Sequence, residues 1–72
     1  MREELKRAYE SVRPYLVYPR ELEERLERLG GDVQRAVKRL QEEAEKLDAV
    51  RRTDVRIFLN ELRKLLQQAR PA

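Results

Sequence analysis

The chain contains only two glycines, and they stand side by side as Gly30-Gly31 between two amphipathic patterns, with Asp32 directly after them. Glycine reaches the left-handed conformation that closes a helix at its C′ position, and Gly30 is placed to do so. Aspartate accepts hydrogen bonds from the orphan amides of a following helix, so Asp32 is placed as a cap. One tripeptide thus stops one helix, starts another and constrains how their apolar faces meet. The reading is all-α, and it contains no active site.

The apolar residues on either side recur at helical spacing. Leu5, Ala8, Tyr9 and Val12 fall at i, i+3, i+4 and i+7, one stripe of a first helix over about residues 2–13. Glu3 and Arg7 form a favourable i, i+4 pair on it. Pro14 disfavours the helical region for Arg13 and breaks the helix there. Tyr15-Leu16-Val17-Tyr18 is an apolar connector expected to fold over the core. Pro19 suits the first position of a second helix, about 19–29, with Leu22, Leu26 and Leu29 on its apolar edge. Glu21–Arg25 and Glu24–Arg28 are spaced to brace its outer side.

A third helix is expected over about 32–50. Val33, Ala36, Val37, Leu40, Ala44, Leu47 and Val50 share one face, which only Glu43 interrupts. The small residues Ala36 and Ala44 permit close approach. Its charges run against the helix dipole, with Arg35, Lys38 and Arg39 near the start and Glu42, Glu43, Glu45 and Asp48 near the end. A fourth helix, about 54–69, carries Val55, Phe58, Leu59, Leu62, Leu65, Leu66 and Ala69. Thr53 is placed as its N-cap and Asp54 in its first turn. The step from Val50 to Val55 rotates the apolar face by about 140°, which puts a turn at Arg51–Asp54. No Gly or Pro enforces that turn, so one helix from Asp32 to about Gln68 is the alternative. Ile57 lies off the apolar face as an exposed hydrophobe that marks a contact.

Composition narrows the function classes. At 72 residues the chain makes one domain, and a domain of that size buries roughly 60% of its unfolded surface, so its stability margin is thin. It has no cysteine and no histidine, which removes disulfides, thiolate metal sites, the usual general base and the commonest metal ligand. Arginine outnumbers lysine 13 to 4 and Asn occurs once, a balance that suits a thermophile or an engineered helical protein. No apolar run reaches membrane-spanning length, and Met1-Arg2-Glu3-Glu4-Leu5 lacks the apolar core of a signal peptide. A soluble, cytoplasmic protein is the expectation. The net charge of +3 is uneven, with residues 1–49 at −1 and residues 50–72 at +4. Arg51, Arg52, Arg56, Arg63, Lys64 and Arg70 carry the surplus, either as a solvated face or as a patch for an acidic partner.

The segment Arg25 to Leu40 resembles the second and third helices of ubiquitin-associated-type (UBA-like) domains. Leu26, Gly31, Asp32, Val33, Ala36, Val37 and Leu40 carry the resemblance, over about residues 15–41. Arg25 stands where the family usually has Ala. The resemblance implies a three-helix bundle, here extended by a C-terminal amphipathic helix into a small four-helix domain. In the family the loop leaving the first helix, Met-Gly-Phe/Tyr, contacts ubiquitin; here that place holds Leu16-Val17-Tyr18, without the glycine. Similar three-helix units in elongation factor Ts and the nascent-polypeptide-associated complex serve other partners.

No nucleophile–base pair, phosphate-binding glycine loop or metal cluster is present in the sequence, so no catalysis, cofactor, metal or small-molecule substrate is expected. The expected role is a protein-interaction module. Its partner docks on a helix face or on Tyr15, Leu16, Val17, Tyr18 and Ile57, or is a second copy paired through the fourth helix. The alternative is a helix-turn-helix-like nucleic-acid binder. In that reading Gln34, Arg35, Lys38 and Arg39 lie near the start of the third helix, joined by Arg51 and Arg52, with side chains that read bases and phosphates.

Overall fold

The computed structural model describes residues 2–29 and 31–68, and it is all-α with four helices. Helix α1 spans Glu3–Val12, α2 Pro19–Arg28, α3 Val33–Ala44 and α4 Ala49–Gln68. Among the described residues no helix is long and apolar enough to cross a membrane.

Local chemistry explains each boundary. Glu3 and Glu4 occupy the first turn of α1, where the dipole favours anions. Arg13, expected to leave the helical region before Pro14, instead keeps helical dihedrals (φ −46°, ψ −44°), and the chain tightens through Pro14 in a 3-10 turn, Arg13–Tyr15, so the first α-helix closes at Val12. Pro19 is the first residue of α2, and Arg25 and Arg28 lie in its last turn, where cations are favoured. Gly30, the expected helix-closing residue, lies outside the described residues, as do Ala69 and Arg70. Gly31 adopts φ +124°, a region that side chains resist. Asp32 caps α3 as expected, its carboxylate accepting from the Gln34 amide at 3.1 Å.

The division between α3 and α4 differs from the sequence reading. The turn lies at residues 45–48, so α3 is shorter than 32–50 and α4 begins five residues before Asp54. Lys46 and Leu47 donate to the carbonyls of Glu43 and Ala44 as α3 winds down. Asp48, a favoured N-cap type, stands immediately before α4. Thr53 is therefore inside the helix, where its hydroxyl donates to the Ala49 carbonyl at 2.8 Å. Val50 belongs to α4 and is exposed, while Leu47 packs from the turn onto the core.

One core unites the helices. Leu5, Leu26, Leu40, Phe58 and Leu62 are its largest fully buried side chains, with at least one from every helix. Helix α4 is the common partner, packing against α1 most extensively and also against α3 and α2. Ile57, expected to project from the surface, is half-buried and packs against this core, as do Leu59, Leu65 and Leu66.

Candidate functional site

The connector between α1 and α2 presents apolar side chains to solvent from a fixed backbone. Tyr15 is 73% exposed, Val17 61% and Tyr18 38%. Leu16, grouped with them on sequence, is instead buried in the core and anchors the segment from beneath. The second anchor is Asp54, only 3% exposed. Its carboxylate accepts from the Val17 amide at 3.0 Å and the Tyr18 amide at 2.8 Å. Tyr18 precedes α2 and has no local side-chain cap, so a carboxylate from α4 supplies the anion that a helix N-terminus favours. The Tyr9 hydroxyl donates to the Pro19 carbonyl at 3.1 Å. Burial, foremost, pushes that phenol above its ordinary value, and the charge of Glu23 adds to the effect.

Arg51 closes the outer side of the connector. Its guanidinium lies 4.2 Å from the Tyr18 ring centroid, a cation–π contact. It also donates to Glu21 at 2.6 Å and Asp48 at 2.8 Å. Hydrogen bonds from Arg51 hold both carboxyls below their usual range, and the same bonds hold the guanidinium protonated well above its ordinary value. The connector is thus clamped from below by Leu16, from behind by Asp54 and at its end by Arg51.

The basic residues of the alternative reading do not gather on one surface. Gln34, Arg35, Lys38 and Arg39 are exposed along α3. Arg51 is half-buried in the clamp just described. Arg52 sits at the opposite end of α3, where it donates to the carbonyls of Ala44 at 3.3 Å and Leu47 at 3.0 Å. Those bonds answer the unfavourable charge order of α3, because a cation from α4 covers its C-terminal carbonyls. Glu43, which interrupts the apolar face in sequence, reaches α2 instead. It pairs with Arg25 at 2.6 Å and Arg28 at 3.5 Å. Among the described residues these cross-helix pairs replace the expected Glu21–Arg25 and Glu24–Arg28 braces.

Among the described residues no group of three or more Cys, Asp or Glu side chains is placed to hold a metal ion. Comparison of the chain with family models, curated proteins and solved structures finds no match.

Proposed function

We propose that this chain is a non-catalytic protein-interaction module that docks a folded partner on Tyr15, Val17 and Tyr18. The observation that carries the reading is the exposure of these three side chains on a connector whose amides are tied to buried Asp54. A loop held in one conformation loses little entropy on binding, and tyrosine supplies large contact area with few rotamers. The resemblance to UBA-like domains points to the same segment. The partner that fits presents an apolar depression with a hydrogen-bond acceptor for a tyrosine hydroxyl.

The test is selection of displayed peptides or small domains against the wild-type chain, with the hits re-measured on the Tyr15→Ser/Val17→Ser variant. Both changes leave the backbone amides that bind Asp54 in place, and amide spectra check the fold. The expected result is a loss of about tenfold or more in affinity, as for removal of a ~1.4 kcal/mol anchor. A selection in which no hit is weakened by the variant overturns the reading. So does duplex DNA bound at micromolar or tighter affinity in roughly 150 mM salt and released by Arg35→Ala/Lys38→Ala/Arg39→Ala.

A further inference from the structure

A groove of about 370 Å³ runs between α3 and α4, away from the connector. Partly exposed Ala44 and Leu59 line it as apolar groups over buried Val55 at its floor, and Arg52, Arg56 and Arg63 stand along its α4 side. Its α3 side offers Gln41 and a single carboxylate, Glu45. Glu45 belongs to the turn end, beside the carbonyls that hold Arg52. Arg56 and Arg63 are exposed, and among the described residues neither enters an ion pair. From Arg52 to Arg63 the arginines follow one helix for about 16 Å at 1.5 Å per residue, roughly three turns of a docked helix. The other grooves lack this combination. Those beside α2 are lined largely by both signs of charge, and the one beside Tyr15 carries one residue of each sign, Lys64 and Glu61.

From this arrangement we infer that the α3–α4 groove binds a short amphipathic helix with an acidic flank from a partner protein. Leucine-type side chains at i, i+3 or i+4 and i+7 enter over Ala44 and Leu59, the usual grammar of a helix in a groove. Carboxylates on the flank face Arg56 and Arg63, which form bidentate pairs with carboxylates. The apolar lining decides for peptide over nucleic acid, since a phosphate backbone gains nothing from it. Such a site is separate from the connector and stands whether or not the connector binds anything.

The test titrates the full chain with a fluorescent peptide of about 14 residues, leucines at the groove spacing and glutamates around them. A counterpart with lysine for every glutamate and a random duplex DNA are run alongside. The acidic peptide is expected to bind in the micromolar range and to weaken as salt rises. Its amide-shift perturbations should fall on Gln41, Ala44, Val55, Leu59 and Arg63. Arg56→Glu/Arg63→Glu should weaken it about tenfold or more, and Tyr15→Ser/Val17→Ser should leave it unchanged. Absence of binding, equal binding of the lysine peptide, perturbations confined to the connector, or DNA bound more tightly through the same arginines would each overturn the inference.

Discussion

Among single residues, Asp54 does the most with the fewest atoms. Its carboxylate satisfies two part-buried amides 36 and 37 positions away in sequence. Asp54→Ala leaves both amides without that acceptor and should cost about 2–4 kcal/mol in chemical denaturation. Asp54→Asn keeps one acceptor oxygen and should fall between wild type and Ala. Equal stability of all three would show that the clamp contributes nothing. Arg51 acts differently, because its partners Glu21 and Asp48 are at the surface. A carboxyl held below its unfolded value binds fewer protons in the folded state, so its contribution exists above the usual carboxylate range and fades as pH falls through the lowered values. Arg51→Gln should therefore be less stable than wild type near neutrality. The gap should narrow below about pH 4, and carboxyl NMR titrations should show both groups returning toward ordinary values. At Gly31 the constraint is the backbone, since an added Cβ would meet nothing within 4 Å while φ is +124°. Gly31→Val should cost about 1–2 kcal/mol through φ alone, and an unchanged melting temperature would mean that the turn relaxes freely.

Helix α4 governs the element scale. Phe58 and Leu62 are fully buried on the face toward the core. Leu62→Ala should cost about 2–5 kcal/mol, as truncation of a fully enclosed leucine does; a loss below ~1 kcal/mol would place Leu62 at a yielding edge. This helix also shows what sequence periodicity carries and what it misses. The stripe Val55, Phe58, Leu62 is readable because burial on one helical face repeats every three to four residues. Periodicity alone places the turn before it too late, because spacing puts Val50 on the α3 face although it is exposed on α4. Asp48 was the available signal for the true start, a capping residue ahead of Ala49-Val50. Asp54 was legible only as a first-turn acid, since its partners lie far away in sequence and a local pattern holds no trace of them. The same is true of Glu43 and Arg52, whose partners belong to neighbouring helices. The connector was legible as an apolar run between two prolines, but not which of its side chains would face inward. Leu16 turns in while Tyr15, Val17 and Tyr18 stay exposed, because the backbone beside it is held by Asp54, a residue far away in sequence.

At the scale of the molecule, every helix meets α4, so protection from solvent should be graded outward from it. Amides of residues 55–62 should exchange with deuterium slowest, at the rate set by global unfolding. Amides near Gln68, beyond the last fully buried α4 residue at Leu62, should exchange faster, and so should those of the turn at 45–48. Uniform rates across α3 and α4 would mean that the helices open together. The arrangement also bears on how the chain is made. A ribosome delivers α1, α2 and α3 before the helix that all three pack against. Until α4 has cleared the exit tunnel, the apolar stripes of the first three helices lack their shared partner, and the Val17 and Tyr18 amides lack Asp54. The nascent chain therefore passes through an interval of exposed apolar surface, and the connector becomes fixed only once Asp54 has left the tunnel.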